Sequence, residues 1–311
     1  MNKPAYAAVD WGTSSFRLWL MAADNAVMGE RRSGEGMTTA AKTGFADVLE
    51  AHLHALQAPQ DLPVIVCGMA GARQGWVEAG YVAVPAPLSA VLASATTVPG
   101  IERHVHILPG LAQRDLDAPD VMRGEETQLL GALQQHASGT RLVCMPGTHS
   151  KWVTVDGGTV SGFRTCMTGE LFDLLATHSV LTHSLSEAAS FDGERPAFSD
   201  AIAASFRWPH RATSLLFTVR SGTLLHNLSA TDAAARLSGT LIGLEIAGAV
   251  ASGSDGQTIR LVASGKLRSL YEAAFSSLYL PFDTIDADEA VRQGLSAAAQ
   301  KILNFSAEEL P

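Results

Sequence analysis

Cysteine is scarce in this 311-residue sequence, with only Cys67, Cys144 and Cys166 present. The three are odd in number, lie inside apolar stretches and form no C-x-x-C pair. That excludes a disulfide framework or structural zinc and reads as buried, reduced thiols. A basic excess is also lacking: 22 Lys and Arg stand against 31 Asp and Glu, a net charge of −9. Phosphate backbones need a basic face, so the balance argues against a nucleic-acid partner. The N-terminus MNKPAYAAVDWG reaches a strand-like segment without a hydrophobic signal core. No apolar run approaches the roughly 18 residues of a membrane span. The expectation is a cytoplasmic protein with no membrane partner. Neither G-x-x-x-x-G-K-[ST] nor a G-x-G-x-x-G after the first strand occurs, which removes the P-loop and the dinucleotide fingerprint.

What is present is a large potential core, with 47% hydrophobic residues, on a chain long enough for two domains. Tyr6 to Val9 and Phe16 to Met21 read as strands around a tight turn. Phe45, Val48, Leu49, Leu53 and Leu56 share a helical face. A strand at Leu62 to Cys67 runs into Gly68. A helix carrying Leu129, Leu130 and Leu133 precedes a strand at Leu142 to Met145. Lys151 to Val155 and Val160 to Arg164 form a hairpin through Asp156-Gly157-Gly158. A long helix follows from Asp232, then a strand at Ile259 to Val262 and a helix over Leu267 to Phe275. A last helix is expected at 287–304. Residues 184–213 are the least patterned stretch. The mixture means α/β.

The chain also resembles itself. Asp10-Trp11-Gly12-Thr13-Ser14-Ser15 and Met145-Pro146-Gly147-Thr148-His149-Ser150 are both strand, turn, strand, with Gly, Thr and the last Ser in step. A duplicated unit explains this better than two unrelated hairpins. The turn chemistry suits phosphate. Gly12 and Gly147 are expected in a positive-φ conformation that brings backbone N–H groups close to an anion. Thr13, Ser14, Ser15, Thr148 and Ser150 add hydroxyls, and Arg17 and Lys151 add charge. Asp10, at its strand end, is placed to hold a hydrated Mg²⁺. His149 is a phosphate donor or a support for the turn.

Between the turns, Arg123-Gly124-Glu125-Glu126 opens an apolar-faced helix. Acids in a first turn are ordinary dipole partners. The sharper reading is a general base for phosphoryl transfer to an alcohol, with Glu125 or Glu126 as the carboxylate.

With these residues in view, the sequence resembles the sugar-kinase, hsp70 and actin superfamily. That likeness implies two duplicated ribonuclease-H-like (actin-like ATPase) domains with a nucleotide cleft between them. Gly124-Glu125 matches the G-D pair that supplies the base in glycerol- and xylulose-kinase relatives, whereas a G-x-E-E-A element of exopolyphosphatases points to Glu126. The strings VDWGTSSFRLWL, CGMAGARQGWVEAGY, MRGEETQLLGAL, PGTHSKWV, MTGELFDLL and LSGTLIGLEIA together resemble the 2-dehydro-3-deoxygalactonokinase family over nearly the whole chain. The resemblance implies transfer of the terminal phosphate of ATP, with Mg²⁺, to the 6-hydroxyl of a 2-keto-3-deoxy sugar acid. It implies Glu125 as base, Asp10 as metal ligand, and Ser264 and Gly265 in an adenosine motif (Leu261 to Gly265). Met145 stands where the superfamily carries a second-turn Asp, and Ala263 and Ser264 stand where glycines are usual. Gly253-Ser254-Asp255 resembles a ribokinase anion hole but sits in the wrong context.

For the sugar-acid carboxylate, Arg73 beside Gln74 and Trp76 is the first choice, with surface stacking of Arg73 on Trp76 as the plain alternative. Arg123, Arg164 and Arg220 also qualify. Glu126 and Glu170 are assigned to the substrate side, although Glu170 is equally a helix-start acid behind a Thr168 cap. The domains are expected at 1–120 and 121–286, with 287–311 returning to the first. A phosphohydrolase and a non-catalytic nucleotide sensor are the alternatives to a kinase. Pairing of two copies stays open.

Overall fold

The computed structural model describes residues 3–133, 140–251 and 257–303, so Gly253-Ser254-Asp255 lies outside the described residues. The chain divides into two compact units. The first comprises 1–139, 156–162 and 287–311, and the second 140–155 and 163–286. The boundary therefore follows Gly139, and the expected boundary at 120 is corrected.

The first unit begins with β1 (Pro4–Trp11), β2 (Phe16–Ala22) and β3 (Val27–Ser33). It continues through α1 (Met37–Thr43), α2 (Phe45–Ala55) and β4 (Val64–Gly68). Short elements follow: β5 (Tyr81–Ala83), β6 (Ala86–Pro87), α3 (Ser89–Ala93), β7 (Thr96–Thr97), β8 (Val105–Ile107), β9 (Gly110–Gln113) and β10 (Asp120–Met122). The helix α4 (Glu125–Leu133) closes this run. The main sheet is ordered β3-β2-β1-β4-β8-β7. β1, β2 and β3 form an antiparallel meander, and β4 and β8 add in parallel. β4 reads as an unbroken apolar run, VIVCG, because it lies inside the sheet and is buried along its whole length. The apolar stripe of α2 (Phe45, Val48, Leu49, Leu53) packs on the same core as Val9, Trp11 and Val66.

The second unit holds β11 (Thr140–Met145), β12 (Ser150–Asp156), β13 (Thr159–Cys166), α5 (Thr168–His178) and α6 (Thr182–Leu185). Next come α7 (Pro196–Arg207), α8 (Ala212–His226), α9 (Ala230–Val250), β14 (Ile259–Val262), α10 (Gly265–Ser277) and β15 (Phe282–Ile285). Its strands run β15-β14-β11-β12-β13, the same order as β8-β4-β1-β2-β3. In both, the first strand pairs in parallel with a later one (β4 or β14), which in turn pairs in parallel with the next (β8 or β15). The repeat read from two six-residue turns is thus a repeat of whole ribonuclease-H-like sheets.

The final helix, α11 (Ala287–Ile302), belongs to the first unit. It meets α4 backbone to backbone: a Cβ on Gly131 would fall 1.8 Å from the Ala290 carbonyl, and one on Gly294 would fall 1.9 Å from that of Thr127. This close crossing ties α4 to the first unit and is the physical reason the boundary moved past it.

Three expectations about elements need correction. β3 and α1 were not foreseen. The stretch 184–213 is not irregular: α7 starts at Pro196 and buries Phe198, Ala201, Ile202 and Ser205. It packs against Gly239 and Gly243 of α9, where a Cβ would meet the Phe198 and Ile202 carbonyls at 2.4 and 2.7 Å. Finally, α9 is long and apolar enough by composition to cross a membrane, but 78% of its apolar window is buried inside the fold, as in a core helix.

Candidate active site

In the first unit, the β1–β2 turn is closed by the Gly12 N–H donating to the Ser15 carbonyl at 2.9 Å. Thr13, Ser14 and Ser15 are exposed at its tip. Neither Gly12 nor Gly147 has positive φ, which corrects the expected reason for these glycines. At Gly12 the constraint is space, since a Cβ would lie 2.8 Å from the Ser15 hydroxyl oxygen. A stricter requirement falls on Gly36, which sequence reading passed over. A Cβ there would sit 2.5 Å from the Ser14 N and Cα and the Thr13 carbonyl oxygen. The start of α1 grips the same turn, with the N–H groups of Met37 and Thr38 donating to the carbonyls of Gly12 and Thr13 at 2.9 and 3.1 Å.

Asp10 lies one residue before the end of β1 and pairs across the hairpin with Arg17. Its Oδ2 accepts from Arg17 Nη2 at 2.5 Å, and its Oδ1 faces the Cys67 thiol at 3.8 Å. Arg17 also bridges to Asp288 of α11, a partner that nothing in the sequence announced. Burial, followed by the charges of Asp10 and Glu126, pushes Cys67 well above the usual thiol range, so it stays protonated.

The two adjacent acids separate cleanly. Gly124 adopts φ +105, which only glycine takes without strain, and α4 begins directly after it. Glu125 is half-buried, and its Oε2 accepts from the Arg123 N–H at 3.1 Å. Glu126 has no exposed surface. Its Oε2 accepts from the Gly124 N–H at 2.7 Å and its Oε1 from the Thr127 hydroxyl at 3.1 Å. Burial first, then the neighbouring Glu125 carboxylate, pushes the Glu126 carboxyl up to about 8. Of the two carboxylates, Glu125 is the one with exposed surface, whereas Glu126 has none.

Arg73 and Gln74 are exposed. Trp76 stacks on Phe45 with centroids 5.9 Å apart and meets Trp11 edge-on at 6.0 Å. Trp76 is thus built into the core beside the turn. Arg123 lies over the Tyr81 ring at 4.3 Å and donates from Nη2 to the Gly80 carbonyl at 2.7 Å. Its Nε and Nη1 are buried without a hydrogen-bond partner among the described residues. Arg164, in the second unit, donates to the Gly248 carbonyl at 2.7 Å.

In the second unit, only part of the PGTHSK turn is available to a ligand. Thr148 and His149 are exposed, whereas Ser150 and Lys151 are buried. The Ser150 hydroxyl shares a hydrogen bond with Tyr271 at 3.2 Å, so it faces inward instead of toward a phosphate. Lys151 donates to the His149 carbonyl at 3.3 Å. His149 Nε2 meets Glu170 Oε2 at 2.5 Å, and the Glu170 N–H donates to the Thr148 carbonyl at 3.0 Å. Glu170 is thus a brace for the turn. The expected Thr168 cap is not formed, because that hydroxyl donates to Glu245.

A cavity of about 260 Å³ lies within this unit. Gly147 and Thr148 of the turn, Thr168 and Gly169 of α5, and Lys266 and Tyr271 of α10 line it, with Leu241, Ile242 and Leu270 on the apolar side. The Lys266 ammonium stands 4.1 Å over the Phe191 ring at its rim. Ser264 donates to Asp286 Oδ2 at 2.7 Å, and the exposed Gly265, at φ +59, opens α10. Polar turn at one end and apolar wall at the other is the usual make-up of a small-molecule site.

A model of the 2-keto-3-deoxy-galactonokinase family matches residues 10–298. A protein of Rhizobium meliloti (strain 1021) named "Probable 2-dehydro-3-deoxygalactonokinase" is 59% identical over 297 residues, covering 96% of this chain and 97% of that one. The 2-dehydro-3-deoxygalactonokinase of Escherichia coli (strain K12) is 34% identical over 299 residues, covering 96% and 99%. A crystal structure from Sinorhizobium meliloti, assigned to the same kinase, superposes with a TM-score of 0.94 at 58% identity over 96% of this chain and 99% of that one. The Clostridium difficile activator of 2-hydroxyisocaproyl-CoA dehydratase, solved with ADPNP bound, shares the fold alone: its TM-score is 0.50 at 14% identity over 96% of each chain.

Proposed function

Since this chain belongs to the 2-keto-3-deoxy-galactonokinase family, we propose that it transfers the terminal phosphoryl group of ATP to the 6-hydroxyl of 2-dehydro-3-deoxy-D-galactonate in the cytoplasm. The chain is a phosphotransferase acting on a small sugar acid. The observation that carries the site reading is the cavity of the second unit, whose polar end is the PGTHSK turn. Its apolar part takes the nucleoside, and the exposed Thr148 and His149 face the phosphates.

The acceptor chemistry falls to the first unit. Glu125 takes the proton of the attacking hydroxyl, and protonated Glu126 behind it keeps a second negative charge out of the interior. The exposed hydroxyls of Thr13, Ser14 and Ser15 donate to phosphate oxygens, with Arg17 adding charge beside them. Arg73, exposed and without a stacking partner in Trp76, receives the sugar-acid carboxylate. Asp10 suits a Mg²⁺ ion that arrives with the nucleotide: it is a single carboxylate beside an open hydroxyl turn. Among the described residues no group of three or more metal-binding side chains occurs. Such an ion keeps phosphate and water as most of its ligands and neutralises the triphosphate charge.

A coupled ADP-release assay across a panel of 2-keto-3-deoxy sugar acids tests the reading. The galacto-configured acid should give the highest kcat/KM, with turnover strictly dependent on sugar. Phosphate release from ATP at the same rate without any sugar would refute it.

A further inference from the structure

One residue outside every role assigned above organises the second unit. Glu245 lies in the middle of α9 within the apolar run Leu241–Val250 and is 5% exposed. An ionisable group buried this way costs several kcal/mol unless hydrogen bonds compensate. Hydrogen bonds offset part of that cost here, although burial still holds the carboxyl above its usual range. Oε1 accepts from the Trp152 indole N–H at 2.8 Å. Oε2 accepts from the Tyr271 hydroxyl at 2.9 Å and from the Thr168 hydroxyl. The Ser150 hydroxyl, bonded to Tyr271 at 3.2 Å, also bonds Glu245.

The placement of these donors gives the cluster its meaning. Ser150 and Trp152 begin β12, directly after the PGTHSK turn. Thr168 is the first residue of α5, and its neighbour Gly169 is pressed on that turn, where a Cβ would fall 2.6 Å from the Gly147 carbonyl oxygen and 2.8 Å from the Thr148 Cα. Tyr271 belongs to α10, the helix opened by Gly265. Thr168 and Tyr271 both line the cavity. One carboxylate therefore joins the two helices that line the cavity to the strand that follows the lining turn, without lining the cavity itself.

We propose that Glu245 is a positioning residue that fixes the geometry of the nucleotide site through Thr168, Tyr271 and the strand start at Ser150 and Trp152. This rests on the reading that the cavity takes ATP. Glu245 does not touch substrate; it holds the groups that do. Glutamine can keep an acceptor toward the Trp152 N–H, which can only donate, while the hydroxyls of Thr168 and Tyr271 rotate to accept from its amide. Leucine removes the acceptor of the Trp152 N–H and the Thr168 hydroxyl in the interior.

The test compares wild type with Glu245→Gln, Glu245→Leu and the single-bond variants Tyr271→Phe and Thr168→Val. Steady-state constants for both substrates, ATP affinity by calorimetry and melting temperature are read for each. Tyr271→Phe and Thr168→Val should raise KM for ATP about 3- to 10-fold, and Glu245→Leu by more than 10-fold, with KM for the sugar acid within about twofold. Glu245→Gln should recover most of the loss. Variants that melt earlier yet keep wild-type KM for ATP in the folded fraction would overturn the proposal, as would equal rises in both KM values. Absence of ATP binding by the wild-type protein would instead overturn the reading beneath it. Tyr271→Phe and Thr168→Val remove one hydroxyl each, so they keep the proposal testable if Glu245→Leu does not fold.

Discussion

Replacing Glu126 by Gln should change how stability depends on pH, and the size of the change follows from where its carboxyl sits. In the unfolded chain this group titrates near 4.5; in the folded chain burial and the adjacent Glu125 move it to about 8. Between those values the folded protein holds a proton that the unfolded chain releases. The stability linked to that proton is fully present below about 4.5, falls as pH rises, and is lost above about 8. At about 1.4 kcal/mol per pH unit, this amounts to on the order of 5 kcal/mol across the window. Against a typical total of about 5–15 kcal/mol, such a slope is measurable. Glutamine reproduces the protonated form: its carbonyl accepts from the Gly124 N–H, and its amide donates to the Thr127 oxygen. Urea denaturation of both proteins at pH 5, 6, 7, 8 and 9 isolates the effect as a difference, because other titrating groups are shared. Wild type should lose stability relative to Glu126→Gln as pH rises, with the difference levelling above pH 8. Parallel curves over the whole range would refute the buried, proton-holding assignment.

Three further outcomes follow from the same geometry. Glu125→Gln should lower kcat by on the order of 10²- to 10⁴-fold with little change in ATP affinity, and Glu126→Gln should lose far less; steady-state kinetics in the reverse order would make Glu126 the base. Asp10→Ala should abolish phosphoryl transfer in a folded protein, checked by ADP release beside a melting curve, because it removes the proposed metal-binding carboxylate at the end of β1. Gly36→Ala should cost about 1–3 kcal/mol by driving a methyl into the Ser14 backbone, and should raise KM for ATP. Gly34→Ala, with nothing within 4 Å, is the neutral control for denaturation and kinetics.

Much of the fold was legible because its strongest signals are local. The β1 and β4 strands, the apolar stripe of α2 and the hairpin at Gly157 and Gly158 each declare themselves within a dozen residues. What stayed hidden depends on partners distant in sequence. β3 is mostly exposed and carries Glu30, Arg31 and Arg32, so it shows no apolar alternation. In α7 the buried positions include Ala201 and Ser205, small residues that look unpatterned until Gly239 and Gly243 bring α9 against them. The boundary was expected at 120 and not after Gly139 for the same reason: two glycines, Gly131 and Gly294, let α4 and α11 touch across more than 160 residues of chain.

The site divides along the same line. The residues proposed to face a ligand were readable, because Asp10, Thr13 to Ser15, Glu125 and Thr148 sit in turns or helix starts whose chemistry is written in adjacent positions. The residues that hold them there were not. Gly36 shows in sequence only as one glycine among several, and its necessity appears when Ser14 is found against it. Ser150 and Thr168 looked like a phosphate donor and a helix cap, yet both hydroxyls turn inward to the carboxylate network of Glu245. The sequence did carry one signal for that network: a single Glu inside LIGLEIAGAV, where a buried charge demands donors from somewhere. A lone ionisable residue in an apolar helix specifies that partners exist without naming them. Here they are four side chains: Thr168 and Tyr271, which line the cavity, and Ser150 and Trp152 of β12, which follows the lining turn.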